Sequence, residues 1–388
     1  MRARLVGLFG AVFVSITMLT GCTSTEIGSP TPSGPGTDGP AKAKITAEPA
    51  VDAKDVPVRI PVKITVVEGE LTEAKVTNSD GEAIAGSIAP DKLSWTSDEF
   101  LGFGETYTYS AKAEGTDRKE VTLTGEFHTI EPAKEIRATL NPIDDTTVGV
   151  AMPISVKFDS APKDRAAVQR SLEVRTSPRE VEGAWAWLSD KQLDWRPEEY
   201  WPAGTKVKVA ANLYGVDYGQ GAYGKADVTS EFTIGRNQVV KLHTPSHRMV
   251  VERDGKQSAM YPASFGDDSD PNLNTPNGTL VVMEKKVNER FDNARYGYTN
   301  IWKKWAVRFS NHGEFIHENE ENRANIGARN TSHGCANLYE ADARAYFDTA
   351  LIGDPVEVTG SRARMPKTSD ISDWLYTWDE WKAMSALR

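Results

Sequence analysis

Apolar residues recur at every second position through much of the chain, the spacing of half-buried strands. Val56, Val58, Ile60, Val62, Ile64 and Val66 form one such run, Tyr107, Tyr109, Ala111 and Ala113 a second, and Val207, Val209, Ala211 and Leu213 a third. One buried and one wet face is the pattern of antiparallel sandwich sheets. The second and third runs belong to a repeat. Asp91-Lys92-Leu93-Ser94-Trp95, Glu99-Phe100, Gly104 and Thr106 return as Asp190-Lys191-Gln192-Leu193-Asp194-Trp195, Glu199-Tyr200, Gly204 and Thr205. Trp95 and Trp195 stand 100 residues apart, as do Gly104 and Gly204. Each copy closes on a similar strand, Gly125-Glu126-Phe127-His128-Thr129 and Ser230-Glu231-Phe232-Thr233. Two units of about 90–105 residues built from short strands predict two immunoglobulin-like β-sandwiches, over residues 43–131 and 132–236. Their tryptophans read as core residues rather than sugar-stacking platforms. Neither unit holds a constellation that does chemistry, so both read as spacers or pedestals.

The pattern changes near Asn237. Met249-Val250-Val251-Glu252 runs into Asp254-Gly255, a strong hairpin signal, and a further strand. Thr275-Pro276-Asn277-Gly278 turns the chain into a strand from Thr279 to Met283. Trp305, Val307 and Phe309 alternate, Asn311-His312-Gly313 reverses direction, and Phe315 and His317 lie on the returning strand. Glu340 to Leu351 is the best helix of this region. Gly353-Asp354-Pro355 ends it, and Val356-Glu357-Val358 returns to strand. Residues 237–361 therefore predict a third, mostly β domain with one main helix. In 362–388, Trp374, Trp378 and Trp381 fall at i, i+4 and i+7, one face of a helix. That face is expected to pack on the preceding domain.

Composition narrows the class. The chain has 388 residues, 39% apolar and 26% charged, which excludes a mostly disordered chain, a collagen-like chain and a polytopic membrane protein. A net charge of −10 argues against nucleic acid as a partner. The two cysteines, Cys22 and Cys335, exclude a disulfide-dense scaffold. Arg2 and Arg4 precede an apolar run of 15 residues from Leu5 to Leu19. That is the layout of a secretory signal, and it is short for a membrane span. The run ends in Leu19-Thr20-Gly21-Cys22, which resembles a bacterial lipobox. The resemblance implies a signal peptide over 1–21 and a lipid on Cys22. It also implies anchoring to the outer face of the cytoplasmic membrane, towards the cell wall. Residues 24–40 hold 14 Gly, Pro, Ser or Thr among 17, so 22–42 reads as a flexible tether.

A lipidated Cys22 leaves Cys335 without a disulfide partner. Five of the six histidines lie between His243 and His333, in the same segment. His317 stands 18 residues before Cys335, which sits in the run Ser332-His333-Gly334-Cys335-Ala336-Asn337. An imidazole beside a thiol takes its proton, and the pair favours a thiolate nucleophile. The loop between the two residues is long enough to bring them together. A helix beginning close behind the Cys would add to the thiolate's stability. Gly334 lets backbone approach closely, so the N–H groups of Gly334 and Cys335 are candidates for an oxyanion hole. One Cys with scattered His lacks a zinc-like spacing, so neither a metal nor a cofactor is implied. His312 reads as a turn residue, and His243 and His247 as surface positions.

These residues resemble the L,D-transpeptidase (YkuD-type) catalytic domain, whose signature is a His, a loop, then Ser/Thr-His-Gly-Cys-x-Asn/Arg. His317, Ser332, His333, Gly334, Cys335 and Asn337 match it, as does the Thr-Pro-x-Gly turn at Thr275. The resemblance covers about residues 237–360. The layout of lipobox, linker, two immunoglobulin-like domains, catalytic domain and Trp-rich extension resembles the actinobacterial members.

The resemblance implies a cysteine enzyme acting on tetrapeptide stems of peptidoglycan. Cys335 attacks the diaminopimelate carbonyl, His317 supplies a proton to the departing D-Ala, and a thioester forms. The side-chain amine of a second stem then completes a 3→3 cross-link. His333, Asn337, Ser332 and Tyr298 become candidate substrate contacts, although Tyr298 is one residue out of register with the tyrosine of related enzymes. Ser332 also reads as a turn residue, and His333 as an orienter of the loop. Carbapenem β-lactams are implied as covalent inhibitors. The actinobacterial members it resembles often follow the His with Ser-Ala-Pro-Trp, whereas here Glu318-Asn319-Glu320-Glu321 follows His317. That acidic run reads either as an attractor for the acceptor amine or as a solvated face. Two other readings stay open: an L,D-carboxypeptidase, with water as acceptor, and a non-catalytic wall-binding lipoprotein. A cysteine protease fits the His-before-Cys order poorly.

Overall fold

The computed structural model describes residues 42–293, 297–368 and 371–387, with Asn293 and Tyr298 described by backbone alone. The expected signal peptide, Cys22 and the expected tether up to residue 41 lie outside the described residues. What is described is mainly β.

The first sandwich pairs a four-stranded sheet (Lys44–Glu48, Lys63–Val67, Ser94–Ser97, Gly86–Ile88) with a three-stranded one (Gly69–Thr77, Thr106–Gly115, Glu120–His128). Tyr107, Tyr109, Ala111 and Ala113 all point into its core, as their alternation predicts. The Val56–Val66 run keeps its alternation in burial, except at Ile60, which is exposed. Regular pairing begins only at Lys63, because Pro57 and Pro61 lack the N–H that a ladder needs.

The second sandwich sets Gly183–Trp187, Gln192–Pro197, Ile154–Phe158 and Ala138–Asn141 against Thr147–Val148, Val228–Ile234, Lys206–Ala211 and Leu172–Ser177. Trp95 and Trp195 are both core residues. Each ring lies over a glycine of the adjacent strand, Gly86 and Gly183, where any Cβ would collide with the indole. The repeat therefore extends to the partner strand, where sequence spacing alone does not reveal it.

The third unit has a five-stranded mixed sheet in the order Lys256–Pro262, Arg248–Arg253, Gln238–His243, Pro355–Thr359, Gly278–Val281. Beside it lies a four-stranded sheet, Glu284–Asn293, Tyr298–Arg308, Phe315–Glu318 and Ala336–Leu338. The core between them includes Val240, Leu242, Phe265, Leu280, Val307, Phe309, Ile316 and Leu338, with Ala343 and Tyr346 from the helix Glu340–Thr349. Asp254 (φ 50°) and Gly255 (φ 73°) close the expected hairpin.

The second sandwich is fastened to the third unit. Gly149 and Ala151 donate backbone hydrogen bonds to Ile352 and Gly353 (2.7 and 2.9 Å). Arg236, in the connection between the two units, forks onto the fully buried Asp354 at 2.8 and 2.6 Å. A bidentate guanidinium is the partner a buried carboxylate needs.

The C-terminal extension departs from expectation twice. Its tryptophans do not share one continuous helix: Asp373–Leu375 is a 3-10 turn, and Thr377 then caps a separate helix, Trp378–Ala383, with a capping box. Nor do the rings rest chiefly on the third unit. Trp381 donates to the Ala184 carbonyl and Trp374 to the Ala151 carbonyl, both of the second sandwich (2.8 Å each). Trp374, Trp378 and Trp381 surround the buried Arg196 guanidinium at 4.5, 5.3 and 4.7 Å. Met365 and Leu375 do pack against the core of the third unit, so the extension straps the two units together.

Candidate active site

The strand Phe315–Glu318 runs parallel to Ala336–Leu338, with His317 opposite Asn337. Directly opposed residues in a sheet share a face, so His317 and Asn337 project together. Cys335, the residue before the second strand, joins them in the wall of a cavity of ≈ 350 Å³. Phe291, Ile301 and Lys303 of the long hairpin, with Asn319, Glu321, Asn322, Thr331, Ser332 and His333, complete it. A second cavity of ≈ 600 Å³ also reaches Cys335 and His333, and its wall includes Arg308, His312, Glu314 and Arg364.

The cysteine loop is held from below. Gly334 has φ +116°, a left-handed conformation that favours glycine. Thr275 of the Thr-Pro-Asn-Gly turn is buried, and its hydroxyl accepts from the Gly266 N–H (2.9 Å) and donates to the Gly334 carbonyl (2.8 Å). Ser332 donates to the Cys335 carbonyl (2.6 Å) and accepts from the Gly334 N–H (3.2 Å). Ser332 thus lines the cavity while its hydroxyl is engaged within the loop, the turn role rather than the substrate role. The same bond takes the Gly334 N–H out of the expected oxyanion pair. The Cys335 N–H has no acceptor among the described residues and remains the candidate.

Electrostatics correct the expectation of a resting thiolate. His317 is buried, and that burial pushes its pKa down to about 4, against the hydrogen bond to the Glu318 carbonyl and aided by the charge of Lys303. Part of Cys335 opens to the cavity, yet the surrounding protein pushes its thiol up to about 12, against the bond from the Phe315 backbone and with help from Glu314. Both groups are therefore neutral near pH 7. The expected help from a helix start is missing too, because Ala336–Leu338 is a strand and the helix begins at Glu340. The thiol donates to the Gly313 carbonyl at 3.6 Å. Nδ1 of His317 donates to the Glu318 carbonyl at 2.6 Å, which leaves Nε2 as the proton acceptor.

Asn337 is buried in the cavity wall, and its Oδ1 has no partner among the described residues. Its backbone pairs both ways with Ser264 (2.8 and 3.0 Å). His333 is exposed on the rim between the two cavities. The Tyr298 side chain lies outside the described ones, although its backbone opens the strand Tyr298–Arg308. His247 is not a surface residue: half-buried, it bonds Asn330 at 2.8 Å, and Asn330 accepts from the Phe265 N–H at 3.0 Å.

Glu318 and Glu320 of the acidic run are engaged within the protein rather than freely solvated, whereas Glu321 is exposed. Glu318 accepts from the backbone N–H groups of Lys304 and Glu320, and Glu320 from that of Glu340 and from Arg323. Glu321 pairs with Lys303. Thr275 was read from the sequence only as part of the Thr-Pro-x-Gly turn, not as a support of the cysteine loop, and Lys303 and Phe291 were not singled out. Phe291 packs its ring at 5.1 Å from His317 and 4.8 Å from Phe315.

Residues 237–358 match the L,D-transpeptidase catalytic domain family, and 53–217 match a bacterial Ig domain family in one span. Over 353 residues the chain is 43% identical to L,D-transpeptidase 5 of Mycobacterium tuberculosis (strain ATCC 25618 / H37Rv), covering 90% of this chain and 78% of that protein. The chain belongs to the L,D-transpeptidase family. It is also 34% identical over 356 residues to L,D-transpeptidase 2 of the same species (strain CDC 1551 / Oshkosh), covering 88% and 85%. Among solved structures, the LD transpeptidase LdtMt1 in complex with imipenem shares 31% identity over 59% of this chain and all of that one, with a TM-score of 0.49. The protein is thus an enzyme of the L,D-transpeptidase class, mainly β, with an Ig-like region preceding its catalytic domain.

Proposed function

We propose that the enzyme forms 3→3 cross-links in peptidoglycan through a thioester on Cys335. The donor is a tetrapeptide stem, attacked by Sγ at the diaminopimelate carbonyl while the thiol proton passes to Nε2 of His317. The developing oxyanion takes the Cys335 N–H. Collapse expels D-Ala as its amine receives the proton from His317. The side-chain amine of diaminopimelate on a second stem then attacks the thioester. Its proton returns through His317 to Sγ. One amide is broken and one made, so no ATP is consumed.

The observation that carries this reading is that Cys335, His317 and Asn337 line one cavity, where the Oδ1 of Asn337 has no partner among the described residues. That Oδ1 is an acceptor for a stem N–H. The second cavity at Cys335 supports transfer to an amine over hydrolysis, since an acceptor stem needs its own approach. The test is intact-protein mass spectrometry with a tetrapeptide stem. A gain equal to the stem less D-Ala, absent from Cys335→Ala, is expected, and no gain in the unaltered protein contradicts the reading. Carbapenems are expected to acylate the same sulfur. The lipid on Cys22, and with it the membrane location, belongs to this proposal and rests on the lipobox. Cys22→Ser is expected to release the protein from the membrane fraction.

A further inference from the structure

Lys303 projects from the hairpin strand Tyr298–Arg308 into the wall of the catalytic cavity, with only 10% of its side chain exposed. Among the described residues lining that cavity it is the only lysine or arginine. An ammonium withdrawn from water needs acceptors for three N–H groups. Two are supplied: Asn319 Oδ1 at 2.8 Å and Glu321 Oε2 at 3.0 Å. The two acceptors differ in kind. Asn319 is neutral and its backbone is tied to the Leu338 carbonyl (2.9 Å), whereas the Glu321 side chain is 87% exposed. A carboxylate so far into solvent is weakly held and readily exchanged.

We propose that Lys303 is the substrate-carboxylate subsite of this enzyme, and that Glu321 occupies it in the resting state as a displaceable counterion. The inference rests on the peptide-stem reading above and deepens it. A tetrapeptide stem brings two carboxylates near its scissile bond: the C-terminal one of the departing D-Ala and the free one on the diaminopimelate side chain. Either fits the chemistry of a buried ammonium. Exchange has a second effect on the site. The charge of Lys303 helps to keep His317 from taking a proton. A substrate carboxylate that neutralises the ammonium more closely than the exposed Glu321 relieves that influence. The imidazole then becomes a better base once the donor is bound.

The test measures acylation of Cys335 by three donors. One is the tetrapeptide with both carboxylates free, one has the terminal D-Ala carboxylate as carboxamide, and one has the diaminopimelate carboxylate as carboxamide. The unaltered enzyme should prefer the free donor by about 10- to 100-fold in kcat/KM over one of the amides, the range for a charge-assisted hydrogen bond. Which amide is penalised identifies the carboxylate that is read. Lys303→Met should abolish the preference and Lys303→Arg should retain it. Glu321→Gln, which removes the competing carboxylate and keeps the ammonium, should lower KM for the free donor. Equal rates with all three donors in the unaltered enzyme would overturn the subsite and leave the peptide-stem reading intact. So would a preference that persists in Lys303→Met. No acylation by any donor would overturn that reading itself, and the subsite with it.

Discussion

Alkylation of Cys335 by iodoacetamide should accelerate about tenfold per pH unit from pH 6 to 9, because only the thiolate reacts. The thiol titrates at about 12 against an ordinary 9.0, a thousandfold loss of acidity caused first by burial. At pH 7 roughly one molecule in 100,000 then carries a thiolate, against about one in 100 for an ordinary cysteine. The more basic thiolate is the better nucleophile, by about 20-fold over that interval at a Brønsted slope near 0.45. The two effects together make Cys335 about 50-fold slower than a free cysteine. Intact-mass spectrometry against pH reads the rate directly. Acylation by a donor stem should behave otherwise, rising through about pH 4 as His317 loses its proton and then staying level. An alkylation rate that is flat from about pH 5 upward would reveal a standing imidazolium–thiolate pair and refute the reasoning. The same groups set a window of stability. The unfolded chain binds a proton at His317 from pH 6.5 downward while the folded one waits until about 4, so folding loses about 3 kcal/mol across that interval. At the other end Cys335 ionises first in the unfolded chain, so stability falls as pH rises above 9.0.

Other perturbations follow from single contacts. Thr275→Val strips the hydroxyl from between the Gly266 N–H and the Gly334 carbonyl, and should cost about 2–4 kcal/mol in urea unfolding and slow acylation. Arg236→Met leaves Asp354 buried without its partner and should cost about 3–5 kcal/mol at pH 7, less as the pH falls and the carboxyl takes a proton. Trp381→Ala empties the seam over Arg196 and should cost about 3–5 kcal/mol, with the C-terminal helix becoming sensitive to protease. An unchanged midpoint in any of these would contradict the contact concerned.

The sandwiches were legible because their strands bury one face each, so Tyr107 to Ala113 and Val207 to Leu213 write the fold into the alternation. The candidate pair Cys335 and His317 was legible because the cysteine motif is compact and its backbone needs a glycine at Gly334. The strand Glu284–Asn293 was not, since it is polar on both faces and carries its functional contact in one residue, Phe291. Lys303 was equally silent, because a lysine followed by Lys304 looks solvated until the fold covers it. The tryptophan spacing was real but misread. Its three rings do converge, around Arg196 and through two short helices rather than one, because Thr377 restarts the helix. Protonation states lie still further from sequence, since burial sets them and Cys335 and His317 are covered only in the folded chain.

The central claim is that the acyl group on Cys335 is handed to an amine. The most direct measurement incubates the protein with purified disaccharide-tetrapeptide and analyses the products by mass spectrometry beside Cys335→Ala. The expected product, made by the unaltered protein alone, is a cross-linked dimer that has lost one D-Ala and whose fragments place the new bond between two diaminopimelate residues. Tripeptide without dimer would mean that water takes the acyl group, and would contradict it.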